Sequence, residues 1–353
     1  MSVMLVRFPL LIRRLVERRS LAVAFSTGTA ALIALAGCGS SSAVTGRVTA
    51  PGVPELAHWT PLVHVLRPLD LAGPRSDGSL VLAAGGRLML LDAAAASVRP
   101  FAPAYHSPGG EEPYIALATS GCLASGGRVY ALHLRPPRGV VSIDPRGPVR
   151  GLARISAPGL IDGIAFDGTG AFGHRLLVTT NHGSTTTVNA VECHGAVTTV
   201  TRSAPRVEGG IAVAPRSFGR FAGDLIAPDE KGGNVYAITP SGQSLLVAAS
   251  GLPHGPDTGV ESAGFVPNGN VDALMADRVS PGNRHPGDDV VLRIGHAALA
   301  AVGVRPGDLL VATEGGARTI SIRCTAAGCR VRHVADGPAI AHGEGHIAFA
   351  PTS

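Results

Sequence analysis

The chain is almost free of lysine: Lys231 is the only one, and every other basic side chain is arginine. We read this as codon bias toward GC-rich coding, not as chemistry. Aromatic residues make up only 4% of the 353 positions. That scarcity excludes a core built on a few large rings and implies one less rigid than an aromatic-rich core. Several catalytic signatures are also missing. There is no G-x-S-x-G elbow, no H-E-x-x-H, no phosphate-binding Walker loop, and no dinucleotide fingerprint in a strand–turn–helix setting. Glycine pairs such as Gly168 and Gly170 are turn glycines, because no helix follows them. No C-x-x-C pair exists, so a cysteine zinc site is disfavoured. The long succession of strands without amphipathic helices argues against an α/β fold.

What is present begins with a leader. Arg13, Arg14, Arg18 and Arg19 form a basic region, and Leu21 to Leu35 is uncharged and apolar. This stretch is short for a spanning helix, which needs about 20 apolar residues, and has the design of a cleavable secretory signal. Residues 1–37 are therefore expected to be a signal peptide. Leu35-Ala36-Gly37-Cys38 resembles a bacterial lipobox, which implies cleavage before Cys38 and lipidation of that cysteine. Arg18-Arg19-Ser20-Leu21 also resembles a degenerate twin-arginine export signal. Residues 38–60 then form a flexible tether and 61–353 the folded domain. The expected location is the outer face of the cytoplasmic membrane, with the membrane itself as one partner through the anchor.

Removing five arginines and one glutamate with the leader leaves 25 basic and 24 acidic residues. The high isoelectric point therefore belongs mostly to the leader, and nothing in the mature chain marks a nucleic-acid surface. Four cysteines remain after Cys38. Cys324 and Cys329 flank Thr-Ala-Ala-Gly between two alternating runs, across the mouth of a hairpin and near enough to bridge. Cys122 and Cys193 would then pair, as an even count in an exported protein supports.

The central feature is a recurring phrase: an acidic residue, one or two small or polar residues, then a small apolar strand. It reads EPYIALA from Glu112, DGIAFD from Asp162, EGGIAVAP from Glu208, ESAGFVP from Glu261 and EGHIAFAP from Glu344. A second phrase follows: GSLVLAAG from Gly78, HRLLVTTN from His174, GDLIAPDE from Gly223, DALMADR from Asp272 and GDLLVATE from Gly307. Third strands such as NVYAITP and fourth strands such as SLLVAAS come next, joined by turns rich in Gly, Asn, Pro or Asp. Four antiparallel strands per roughly 40–50 residues is the signature of a β-propeller blade. The expected fold is all-β, a six-bladed propeller with five or seven blades as alternatives, the units starting near 78, 112, 162, 208, 261 and 300. HAALAAVGV, near 296–304, reads as a short helix or a strand. The first blade lacks an acidic first strand and the C-terminal GHIAFAP has no blade after it. Joining the two would close the ring and cover its edges.

In a propeller the innermost strands line a central channel. Glu112, Asp162, Glu208, Glu261 and Glu344 would face one another at one mouth. Close carboxylates repel and raise each other's pKa unless a cation neutralises them. A divalent cation, calcium, fits, since Ca²⁺ takes six to eight oxygen ligands at about 2.3–2.6 Å. Turn-capping by each acid is the competing reading. His342, Glu344 and His346 alternate, so an extended chain would put all three on one side. That offers a transition-metal site, against the simpler reading of one channel-facing histidine. His182 and His254 sit in loops and are candidate bases. The polar loop 280–289 reads as a solvent loop.

Gly343-Glu344-Gly345-His346-Ile347 is similar to the GEGP-type phrase of the gluconolactonase and regucalcin family of six-bladed propellers. Asp162-Gly163-Ile164-Ala165-Phe166 resembles that family's NGIAF-like phrase, and Glu208-Gly209-Gly210-Ile211-Ala212 its DG-plus-strand phrase. The resemblance implies that Glu344, Asp162 and Glu208 bind a divalent cation and that Glu208 is also catalytic. This chain departs from the family in Asp for Asn, in Glu with an extra glycine for Asp, and in the order of the phrases. His346 is the further catalytic candidate. The implied functions are a metal-dependent hydrolase of a lactone, ester or phosphoester, a non-enzymatic binder of a small molecule or envelope protein, and, by analogy alone, a quinone-dependent sugar dehydrogenase. The protein is expected to be a monomer.

Overall fold

The computed structural model describes residues 55–110, 112–146 and 148–352. The expected signal peptide and Cys38 lie outside these residues, as does most of the 38–60 tether. Ala57–His58 and Thr60–His64, which overlap the end of that tether, are strands.

Six sheets form a six-bladed propeller. The innermost strands, in order, are Pro68–Ala72, Ile115–Leu117, Leu160–Phe166, Ala212–Val213, Val260–Phe265 and Gly343–Pro351. Each packs against the next, and the sixth packs against the first, closing the ring. We number the blades one to six in this order.

Six apolar clusters hold the ring, each lying between two adjacent blades. Leu80, Leu82 and Leu91 of blade 1 meet Leu274, Val291 and Ala348 of blade 6. Val81, Ala83 and Leu90 on the other side of blade 1 meet Ile115, Val129 and Ile143 of blade 2. A strand sends alternate side chains to opposite faces, and here both faces are covered by neighbouring blades. Strands such as Leu80–Ala84 are therefore buried at every residue and read as continuous apolar runs. Ala, Val, Leu and Ile fill these thin layers, which is how the fold manages with few aromatics.

The chain does not finish one blade before starting the next at the closure. After the inner strand of blade 5 it enters blade 6 to form Val271–Asp277 and Val290–Ile294. The short helix His296–Ala301 follows. The chain then returns to blade 5 for Leu309–Thr313, Thr319–Cys324 and Cys329–Asp336, and ends as the inner strand of blade 6. Thr60–His64 supplies the outer strand of blade 6, so it shares that blade with the C-terminal strand, while Ala57–His58 pairs in parallel with Cys329–Asp336 of blade 5. The strands between them are 271–294 and not GSLVLAAG, and no blade starts near 300. Blade 1 has its own acidic first strand: Asp70 lies in Pro68–Ala72. Its carboxylate accepts hydrogen bonds from the backbone N–H of Ile115 in blade 2 (2.7 Å) and of His346 in blade 6 (2.8 Å), stapling three inner strands together.

Both expected disulfides are present. Cys122–Cys193 ties blade 2 to blade 3, and Cys324–Cys329 closes a hairpin in blade 5. Buried Trp59 lies between the two N-terminal strands and donates its indole N–H to Thr319 Oγ1 at 2.8 Å. Trp59→Phe is expected to lose about 1–2 kcal/mol, through the missing hydrogen bond and the smaller ring. Urea unfolding of the two proteins checks this, and an unchanged midpoint would contradict the anchoring role.

Candidate metal centre

The acidic residue of each repeat sits where an inner strand begins, so the ring brings five blades' acids to one mouth of the channel. Glu112 precedes Ile115–Leu117, and Glu208 precedes Ala212–Val213. Asp162, Glu261 and Glu344 lie within their strands, near the start. The blades approach so closely here that glycine is required beside Glu208. A Cβ on Gly209 would lie 1.9 Å from the Tyr114 ring. This accounts for the extra glycine of the EGGIAVAP phrase.

Carboxylate oxygens of Glu112, Glu261 and Glu344 lie within 4.8 Å of one another. Ligand atoms of Glu314, His342 and Glu344 form a second such group, with Glu344 common to both. Tyr114, wholly buried, donates its hydroxyl to Glu261 Oε1 at 2.7 Å or Glu344 Oε2 at 3.0 Å. His342 Nε2 is 2.9 Å from Glu314 Oε1 and 3.2 Å from Glu344 Oε1, and Arg278 forms an ion pair with that same Glu344 oxygen. On the blade 3 side, Asn181 donates to Asp162 and is itself fixed by Thr186 Oγ1 at 2.5 Å. Arg206 Nε reaches Glu208 Oε1 at 3.3 Å. Asp162 Oδ1 is buried and receives no hydrogen bond.

Charge decides the state of this mouth. Burial pushes the carboxyls of Asp162 and Glu261 well above the usual carboxylate range, and the neighbouring charges of Glu208 and Glu344 respectively add to it. Burial raises Glu208 as well. Glu112 is pushed up to about 8 by burial and the charge of Glu344, and Glu230 to about 8 by burial and the charge of Glu314. Burial disfavours the charged form of His342, but hydrogen bonds to Glu314 and Glu344 outweigh it and hold the imidazole up to about 10. Among the described residues, seven carboxylates thus face Arg206, Lys231, Arg278 and His342. The excess of negative charge must be met by protons or by a cation.

His346 stands apart from this group. Gly345 adopts φ 66° and breaks the alternation of the last strand. Glu344 therefore joins His342, while His346 Nδ1 pairs with Asp70 Oδ1 at 2.9 Å. The His346 ring lies edge-on to Tyr114, at 6.4 Å between centroids, and lines a channel cavity of about 600 Å³ with Ile115, Ile164 and Ile211. His342 and Glu344 thus group with Glu314, and not with His346 as the alternating trio would have it. His182 remains exposed, and the His254 ring packs against Gly233. The loop 280–289 folds onto the rim, where His285 Nδ1 meets the Ala339 carbonyl at 2.8 Å.

Glu230, Glu314, Arg278 and Asn181 were missed as site residues. Their signal lay in the second phrase: HRLLVTTN, GDLIAPDE, DALMADR and GDLLVATE all end on a polar residue. The second strand of a blade returns to the mouth where the first began, so its last residue arrives beside the acids.

No protein-family model matches the chain, and no curated protein matches it. Solved structures similar to it are propellers of several activities. Virginiamycin B lyase from Staphylococcus aureus is 12% identical over 81% of this chain and 92% of its own, with a TM-score of 0.43. A gluconolactonase from Xanthomonas campestris is 15% identical over 71% and 99%, with a TM-score of 0.36. The PQQ-bound aldose sugar dehydrogenase from Streptomyces coelicolor is 15% identical over 67% and 96%, with a TM-score of 0.37.

Proposed function

We propose that the protein is an exported, lipid-anchored, monomeric propeller that binds one divalent cation, calcium, through Glu112, Glu261 and Glu344 and hydrolyses a small lactone or ester at that mouth. The observation that carries this reading is the convergence of three carboxylates from three blades within 4.8 Å. The donor set fits the ion. All three ligands are hard oxygens, as calcium requires, and the orphaned Asp162 Oδ1 nearby is a further acceptor in want of positive charge. Bound calcium would supply polarisation of the substrate carbonyl. The remaining work falls to the chain. Glu208, which interacts with Asp162 and is held by Arg206, sits at the rim as acceptor for a proton from attacking water. Asn181 fixes Asp162 so that this carboxyl pair keeps its orientation. The two disulfides support export.

The test is elemental analysis of protein lacking residues 1–38, followed by a lactone and ester panel with and without chelator. One calcium per chain and chelator-sensitive hydrolysis are expected, with Glu208→Gln retaining calcium but losing turnover. Absence of calcium from wild type would end this reading. Burial of Asp162 and Glu344 favours a second reading, in which the cation only locks the blades of a ligand-binding or partner-binding envelope protein. Calcium-dependent melting without hydrolysis of any panel member would select it.

A further inference from the structure

We propose that the same mouth holds a second, different metal: a zinc ion bound by Glu314, His342 and Glu344, with Glu344 bridging it to the calcium bound by Glu112 and Glu261. This rests on the reading of Glu344 as a ligand in the proposed calcium site, and it adds a site of different chemistry beside it.

Three observations carry it. The first is spacing. His342 Nε2 stands 2.9 Å from Glu314 Oε1 and 3.2 Å from Glu344 Oε1. Tetrahedral zinc, with bonds of about 2.0–2.2 Å, places its ligand atoms roughly 3.3 Å apart. The two separations from His342 therefore stand near coordinating values before any metal enters, and all three ligand atoms lie within 4.8 Å of one another. The second is donor type. The Glu112 group is all oxygen, whereas this one contains an imidazole nitrogen, which suits zinc better than calcium. The third is burial. Glu314, His342 and Glu344 are 6%, 1% and 0% exposed, so the charge gathered on them, with Arg278 as a further ion-pair partner of Glu344, is not screened by water.

The fold explains how the trio is delivered. Glu314 follows the second strand of blade 5, Leu309–Thr313, and Glu344 begins the inner strand of blade 6. His342 forms a bridge to Gly315, the residue after Glu314. Glu314 and His342 are thus fixed by the interleaved closure of the ring. Glu230, which interacts with Glu314, is the candidate for a fourth ligand. Entry of zinc removes the proton from His342 Nε2 to solvent, and no other covalent change is needed.

The test is uptake by chelator-treated protein lacking residues 1–38, equilibrated with zinc and calcium salts together and freed of unbound metal. Wild type should hold one zinc and one calcium. His342→Gln and Glu314→Gln should each keep calcium and weaken zinc by more than about 100-fold, beyond the cost of losing an outer-shell partner. Glu112→Gln should keep zinc and lose calcium. Circular dichroism of each variant verifies folding, and two independent zinc variants guard against failure of one. Zinc uptake unchanged in both variants, or calcium without zinc in wild type, overturns this inference while leaving the calcium reading intact. Zinc without calcium in wild type upholds the trio and instead removes the calcium site.

Discussion

Glutamine at position 112 and glutamine at position 344 are expected to change the stability of the chelated protein in opposite directions, although both remove a carboxylate from the same group. Glu344 is the partner of Arg278 and of His342, and it has no exposed surface. Removing one member of a buried ion pair leaves the other charge uncompensated, at a cost of about 3–5 kcal/mol. At about 2 °C per kcal/mol for a domain of this size, Glu344→Gln should melt roughly 6 °C or more below wild type. Glu112 is different. Burial and the charge of Glu344 both disfavour its ionised form, so folding at neutral pH forces it to take up a proton. Glutamine is neutral already and removes that linkage, a gain of up to about 3 kcal/mol at pH 7. Its melting temperature should therefore rise in chelator. Both variants should lose the stabilisation that calcium gives wild type. Scanning calorimetry in chelator and in excess calcium reads all of these. Two variants shifted in the same direction in chelator would mean that the charge balance at the mouth has been misassigned.

This opposition also shows what local sequence can and cannot carry. The five acids were legible because the phrase that bears them repeats with the blade, and a repeat that recurs near 50 residues puts equivalent positions at equivalent places on the ring. Tyr114 and His342 were harder to place, since each owes its position to a neighbouring blade. The interleaving of blades 5 and 6 left no trace in the pattern. Val271–Asp277 and Leu309–Thr313 are both buried second strands of similar composition. Either would satisfy the period beside Val260–Phe265, and only three-dimensional packing decides which does. Asp70 was hidden for a related reason. Its strand, Pro-Leu-Asp-Leu-Ala, places the acid in the middle and not before the apolar run, so it did not match the phrase. In the fold that shift makes Asp70 a staple for Ile115 and His346 and separates His346 from the Glu314–His342–Glu344 group.

Acid should stabilise the metal-free protein. Glu112 and Glu230 are both raised to about 8, against about 4.3 in an unfolded chain. A carboxyl whose folded pKa is raised contributes stability that is complete below its unfolded value. That contribution fades as pH climbs through the folded value, because the folded state must then either hold a proton that the unfolded chain has released or bear a buried charge. The window for these two groups runs from about pH 4.3 to about 8. His342 acts in the same direction over a later window. Its imidazolium is held to about 10, so its contribution is complete below the unfolded value of about 6.5 and fades through the folded one. All three act in the same direction, and in chelator the melting temperature should fall steadily from pH 5 to pH 9 as the unfolding free energy drops by several kcal/mol in all. A divalent cation competes with the protons for the same oxygens. Calcium should therefore raise the melting temperature little at pH 5 and most at pH 9, and the two pH curves should diverge as pH rises. Scanning calorimetry at pH 5, 6.5, 8 and 9, with chelator and with calcium, measures the divergence. A chelator curve that stays flat or rises over this range would show that the carboxylates at the mouth are not buried against one another, and the cation site would lose its physical basis.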